Sequence, residues 1–249
     1  MQEVLSKSKG NNNTWKVKEV MELYISQLGY PVINMSRNYT TGVITLSQEC
    51  TVCSITKMPS KFFIPINFAT SSSLNFTSTF ASHWLRPDEK ELIIEGIHPN
   101  DWVIFNIQSS AYYRVNYDKR NWEQIDKYLN SENFSRIHVL NRAQLLENAF
   151  WLFKTKKINE ESLINLTSYM SREVDYIPWT AADDILLYFH TENVTFDFKK
   201  YTLNLVKALI KDAGVDGKEN DDIFTVLKRF IGTYWSCALD KRHCSKVNW

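Results

Sequence analysis

The sequence predicts an α+β multidomain protein in which an antiparallel β-sandwich is followed by an all-α domain. Three observations carry that prediction. Between Pro31 and about Tyr117, apolar residues alternate with polar ones or form short runs rich in Val, Ile, Thr, Tyr and Phe. Polar, Gly or Pro turn residues separate those runs with no helical pattern between them, which favours antiparallel pairing. After Asp118 the apolar spacing changes to i, i+3, i+4, i+7 and stays helical.

The first element is a short helix on Val17, Val20, Met21, Tyr24 and Leu28, with Asn13 or Thr14 available to cap it and Gly29 and Pro31 to stop it. The strand runs that follow include Gly42–Leu46, Phe62–Ile66, Leu74/Phe76/Phe80, Glu91–Ile94, Trp102–Phe105 and Tyr112–Val115. About seven such strands in roughly 85 residues match a sandwich. Helical stripes then succeed one another. Trp122, Ile125 and Leu129 share one face, and Val139, Ala143, Leu146, Phe150 and Phe153 form a longer one, with Ser135 as its N-cap. Leu163, Leu166 and Met170 mark a third helix ending before Pro178, and a fourth runs from Thr180 to about Phe189. A fifth carries Phe198, Tyr201, Leu205 and Leu209 up to Gly214, and a sixth carries Ile223 to Tyr234 behind Asp221 and Asp222. Short connections imply antiparallel helical neighbours.

Composition excludes several classes. The chain has 249 residues, 44% hydrophobic and 23% charged, with 29 Lys+Arg against 28 Asp+Glu. That balance leaves no electrostatic footprint for nucleic acid or an anionic membrane. Lys154, Lys156 and Lys157 cluster at a helix end, where cations complement the helix dipole. The uncharged stretch Phe62–Leu85, apart from His83, holds too many Ser, Thr and Asn to span a membrane. No apolar segment near Met1 reads as a signal peptide. N-x-[ST] sequons nevertheless begin at Asn12, Asn34, Asn38, Asn75, Asn133, Asn165 and Asn193, which favours a lumenal or extracellular history.

A zinc peptidase helix needs H-E-x-x-H, so that two His on one face hold the metal while the Glu acts on bound water. None of the five histidines, His83, His98, His138, His190 and His243, has that setting. With 7 Gly in the chain, phosphate-cradling loops are not expected either. Cys50-x-x-Cys53 reads as a turn disulfide or free thiols, since a redox pair needs a helix N-terminus and the surroundings read as strands. Cys237 and Cys244 leave open zinc binding with His243 or a structural disulfide, the latter preferred. Asp183/Asp184 and Asp221/Asp222 read as charges near helix N-termini, since adjacent helical carboxylates point about 100° apart. Tyr112, Tyr113, Trp102, Phe105 and Tyr117 read as core.

Several stretches resemble the zinc aminopeptidase family that includes aminopeptidase N and the endoplasmic reticulum aminopeptidases. Asn106-Ile-Gln-Ser-Ser-Ala-Tyr-Tyr-Arg-Val-Asn-Tyr-Asp118, followed by Asn121-Trp122, is similar to that family's N-x-x-x-x-G-Y-Y-R-V-N-Y-D…N-W, with Ala111 where Gly is usual. Val17–Met21 through Gln27–Val32 resembles V-x-x-[IV]-M-x-x-W-x-x-Q-x-G-Y-P-V, with Tyr24 in place of Trp. Asn141–Ala149 resembles the N-R-A-Q helix, Asp175-Tyr-Ile-Pro-Trp179 matches D-Y-[IVL]-P-W, and Cys237-x6-Cys244 is similar to a family disulfide. These motifs are collinear across nearly the whole chain.

The resemblance implies residues 1–28 as the last helix of a catalytic domain, 29–117 as a β-sandwich domain and 118–249 as the first part of a helical-repeat, superhelical domain, the whole truncated. The parent would be a zinc enzyme acting on peptides, extracellular or membrane-associated. Neither G-x-M-E-N nor H-E-x-x-H occurs here, so no catalytic or metal residue carries over and no cofactor is expected in this chain. Arg142 and Arg114 receive no substrate role. A stand-alone interaction module that binds through a concave helical surface is the rival expectation.

Overall fold

The computed structural model of the chain describes residues 16–26, 29–51, 61–192 and 194–240. The chain divides into two compact units, Met1–Gln124 and Ile125–Trp249. That division lies beyond Asp118, because the first turns of the helix Lys119–Leu129 belong to the first unit.

The first unit opens with α1 (Val17–Ser26). Its strands are β1 (Pro31–Arg37), β2 (Ile44–Cys50), β3 (Ile64–Ile66), β4 (Phe68–Thr70), β5 (His83–Leu85), β6 (Leu92–Ile94), β7 (Val103–Phe105) and β8 (Arg114–Asn116). They form a four-stranded sheet ordered β6-β2-β1-β8 and two pairs, β3-β5 and β4-β7. In β2, buried Ile44 and Leu46 alternate with half-buried Thr45 and Ser47, so one face meets the core.

Purely antiparallel pairing does not hold. β8 lies parallel to β1, with Val32, Ile33 and Asn34 opposite Arg114, Val115 and Asn116. A parallel neighbour requires a long connection, and the other six strands lie between these two in the chain. Alternation in sequence records the face of a strand and not its direction. The Leu74/Phe76/Phe80 run is not a strand either. Leu74 has φ +46°, Phe76 is buried against Trp102, and Phe80 is 86% exposed.

One side-chain pairing and one backbone turn help to hold this unit. The Asn121 carboxamide accepts the Val103 amide and donates to the Val103 carbonyl, both at 2.9 Å, pairing with β7 as a neighbouring strand would. The β1–β2 turn closes through Gly42 N–H to Asn38 O at 2.7 Å and Asn38 N–H to Val43 O at 2.9 Å. Gly42 sits at φ +82°, and a Cβ there would lie 1.8 Å from the Ile97 carbonyl oxygen. Gly42→Ala is therefore expected to destabilise the unit by several kcal/mol, roughly 3 or more, through both strain and overlap. Thermal unfolding followed by circular dichroism checks it, and a melting curve like that of the parent chain contradicts it.

The second unit holds the end of α2 (Lys119–Leu129), then α3 (Val139–Lys154), α4 (Glu160–Thr167), α5 (Tyr176–Thr191), α6 (Phe198–Ala213) and α7 (Ile223–Leu239). α3 packs on α4 and α5, and α7 on α5 and α6. Gly232 lets α7 approach α6 closely, since a Cβ there would lie 2.8 Å from Ile210 Cγ1.

Two helix starts differ from expectation. Ser135 lies in a 3-10 turn, Phe134–Arg136, and His138 caps α3 by accepting the Leu140 amide on Nδ1 at 3.3 Å. Pro178 lies in the first turn of α5 and does not precede the helix. Its missing N–H is harmless there, because first-turn amides have no intrahelical partner. The expected stop and N-terminal acid are seen: Gly214 with φ +72° ends α6, and Asp222 caps α7 through the amides of Phe224 and Thr225 at 2.9 and 3.1 Å, while Asp197, not singled out from the sequence, caps α6.

Candidate functional site

Motif residues Arg142 and Asp175 of the helical unit meet in one charge cluster with Glu173, buried at Arg142 and Glu173 and exposed at Asp175. Arg142, on the first turn of α3, is 2% exposed, and Glu173, just before α5, is 1% exposed. Arg142 Nε donates to Glu173 Oε2 at 2.6 Å, and a terminal nitrogen donates to Oε1 at 3.1 Å. The guanidinium also donates to Asp175 Oδ2 and, at 2.7 Å, to the Ile137 carbonyl. Its face lies 5.5 Å from the Phe134 ring centre. Glu173 Oε1 further accepts the amides of Val174 and Asp175 at 3.1 and 3.0 Å, and the Glu173 carbonyl accepts the Trp179 indole N–H at 2.8 Å.

This fork-to-carboxylate geometry is a structural pin. Burial opposes the charged guanidinium, but the hydrogen bonds and charge of Glu173, with Asp175, prevail and raise the Arg142 pKa. Burial, with the Glu173 charge, holds the Tyr169 hydroxyl neutral well above the usual phenol range. Asp175 precedes α5 without capping it, its carboxylate being taken by Arg142. Glu173 is too enclosed and too fully hydrogen-bonded to serve as a general base.

The other singled-out residues are engaged separately. Asp221 accepts from Arg229 at 2.6 Å and from the Lys218 amide at 2.7 Å. Hydrogen bonds lower the pKa of both Asp221 and Asp222, the Lys218 amide leading for the first and the Thr225 hydroxyl for the second. Asp183 is not merely an N-terminal charge, because its Oδ1 accepts the Trp235 indole N–H at 2.6 Å and ties α5 to α7. Trp102, Phe105, Tyr113 and Tyr117 are buried, but Tyr112 is exposed and edges onto Tyr30 at 5.9 Å. Arg114 lies over the same Tyr30 ring at 5.2 Å. Lys154 ends α3 with its ammonium 4.3 Å from the Phe150 ring centre.

The histidines are dispersed. His138 caps α3, His98 Nδ1 accepts the Asn100 amide at 3.3 Å, His83 Nδ1 bonds Ser82 Oγ at 2.9 Å, and His190 lies against Phe198 and Trp235. Among the described residues no group of three His, Cys, Asp or Glu side chains could hold a metal ion, so they do not fit a zinc site. Neither Cys50 nor Cys237 is a free thiol. Their expected partners, Cys53 and Cys244, lie outside the described residues, as do His243, Asn12 and Asn193.

Residues 102–247 match the family model described as an ERAP1-like C-terminal domain. Over 98% of this chain, aminopeptidase N of Plutella xylostella is 30% identical. The chain belongs to the aminopeptidase N family. Membrane alanyl aminopeptidase of Heliothis virescens is 33% identical over 65% of the chain, and aminopeptidase N of Homo sapiens is 33% identical over 70%. The chain covers 26% of the Plutella protein, 16% of the Heliothis protein and 18% of the human one. The matched part of aminopeptidase N is a C-terminal part, as the resemblance implied. Within the family motifs, Ala111 replaces Gly without strain. The left-handed residues of that segment are Asn106, Gln108 and Ser109, and Asn106 clasps Ala111 through both its amide and carbonyl at 2.9 and 2.8 Å.

Proposed function

We propose that this chain is a non-catalytic C-terminal portion of a zinc-dependent aminopeptidase that removes N-terminal residues from peptides. The match of residues 102–247 to an ERAP1-like C-terminal domain carries this reading. On it, residues 29–117 form a β-sandwich spacer built from the three sheets, and residues 118–249 begin a superhelical wall of the substrate chamber. Residues 1–28 are the end of a preceding catalytic domain. Zinc would be held elsewhere in the parent, where it would polarise the scissile carbonyl and activate water. We also read the chain as lumenal or extracellular, with Cys50–Cys53 and Cys237–Cys244 as its disulfides. The sequons and the absence of a free thiol at Cys50 and Cys237 support that location. No helix among the described residues is long and apolar enough to cross a membrane.

A second reading, a stand-alone interaction module, draws on α7. Ile223, Val226, Phe230 and Tyr234 form an exposed apolar row along that helix, with Ile223 64% and Phe230 59% exposed. Antibody raised against this chain separates the two readings. The first expects precipitation, from the native source, of a longer polypeptide with zinc-dependent release of amino acids from aminoacyl-anilides. A native product of 249 residues with no such activity supports the module instead. The purified chain given zinc is expected to release no amino acid from the same substrates, and chelator-sensitive turnover contradicts the assignment as non-catalytic.

A further inference from the structure

We propose that Asn75 and Asn38 carry N-linked glycans, whereas Asn34 and Asn165 do not. The inference rests on the lumenal reading above. In the Asn75 sequon, Oδ1 accepts the Thr77 amide at 3.2 Å and the Thr77 hydroxyl at 2.9 Å. Asn75 and Thr77 are exposed, while Phe76 between them is buried against Trp102, with ring centroids 6.4 Å apart. Gln108 Nε2 holds the Phe76 carbonyl at 2.9 Å. The middle residue thus anchors the loop, and no hydrogen bond to another described residue engages Asn75 Nδ2.

Asn38 repeats the arrangement at the tip of the β1–β2 turn. Its Oδ1 accepts the amides of Thr40 and Thr41 at 2.9 and 3.2 Å, and Asn38 and Thr40 are exposed. Tyr39 is the anchor, its hydroxyl 2.5 Å from Asp118 and its ring beside Arg37 and Arg120. All these carboxamide bonds span two or three residues, so they form in the nascent chain without tertiary packing. In the transfer, Asn Nδ2 attacks the anomeric carbon of an oligosaccharide carried on a lipid diphosphate. A C–N bond forms, the C–O bond to the diphosphate breaks and the lipid diphosphate departs. The amide proton passes to a carboxylate of the transferase.

The two excluded sequons are bound up in regular structure. Asn165 lies on α4, where residues i and i+2 point about 160° apart. Its partner hydroxyl, on buried Thr167, is turned to the Leu163 carbonyl at 2.8 Å and to Tyr201. Asn34 lies in β1 between β2 and β8, half-buried, and accepts from Asn116 Nδ2 at 2.9 Å.

The whole chain, secreted from a eukaryotic host behind a host signal peptide, is deglycosylated by a peptide-N-glycosidase in heavy-oxygen water and sequenced by mass spectrometry. Heavy-oxygen Asp is expected at positions 38 and 75, and unmodified Asn at 34 and 165. Asn75→Gln and Asn38→Gln each raise gel mobility by one glycan step. Unmodified Asn at 38 or 75, or heavy-oxygen Asp at 34 or 165, overturns the assignment. If the native protein is insensitive to the glycosidase while the secreted chain shows the expected pattern, the lumenal reading fails and the sequon assignment stands.

Discussion

Arg142→Met is expected to lower the stability of the helical unit by about 3–5 kcal/mol, the cost of removing one partner from a buried ion pair. The substitution leaves Glu173, 1% exposed, with its charge facing a thioether. The amides of Val174 and Asp175 remain as donors, but they do not replace the two guanidinium bonds at 2.6 and 3.1 Å. Arg142→Lys is expected to lose much of the same energy, because a single ammonium cannot reach Glu173, Asp175 and the Ile137 carbonyl in one planar fork. The double variant Arg142→Met, Glu173→Met removes both charges and should recover a large part of the loss. Urea unfolding followed by tryptophan fluorescence gives the coupling energy of the cycle. A single-variant loss below about 1 kcal/mol, the range of surface pairs, with no coupling, sinks the pin assignment.

That cluster shows where sequence reading reached and where it stopped. Helical periodicity located α3 because Ala143, Leu146 and Phe150 recur at its spacing. Yet Asn141, Arg142, Gln144 and Asn148 are buried on the same helix. A pattern that scores apolar residues assigns such positions to solvent. Glu173 was missed for the same reason, lying 31 positions from Arg142 in a connection whose apolar content is unremarked. Its one sequence signal was proximity to the Asp175–Trp179 motif, whose Trp179 indole returns to the Glu173 carbonyl. In the sheet unit, the alternation of β2 and the apolar run that holds β6 were legible, but β4 and β5, three residues each, fall in none of the runs read from the sequence. The parallel β1–β8 pairing depends on a connection through most of the unit, which no local window contains.

Trp235→Ala is expected to cost about 3–5 kcal/mol, since it empties a fully buried site between helices. The ring lies against His190, Phe198 and Tyr234, with centroids 5.8, 5.9 and 5.2 Å away. Its indole N–H is the donor that makes the position of Asp183 tolerable. Burial raises the Asp183 pKa above the ordinary carboxylate value, the Trp235 bond lowers it, and Asp184 raises it again. The net direction is upward, so the folded state holds the proton more tightly than the unfolded one. Stability therefore falls as pH rises from the unfolded carboxylate pKa, about 3.9, through the raised folded value. Trp235→Phe keeps most of the apolar contact but removes the donor, and the fall should steepen. Asp183→Asn keeps an acceptor for the indole and removes the titration, and the fall should flatten. Unfolding free energies measured at several pH values between about 3.5 and 7 distinguish these outcomes. If Asp183→Asn leaves the slope unchanged while Trp235→Ala still destabilises, the tryptophan acts through packing alone and the indole–carboxylate bond does not couple α5 to α7.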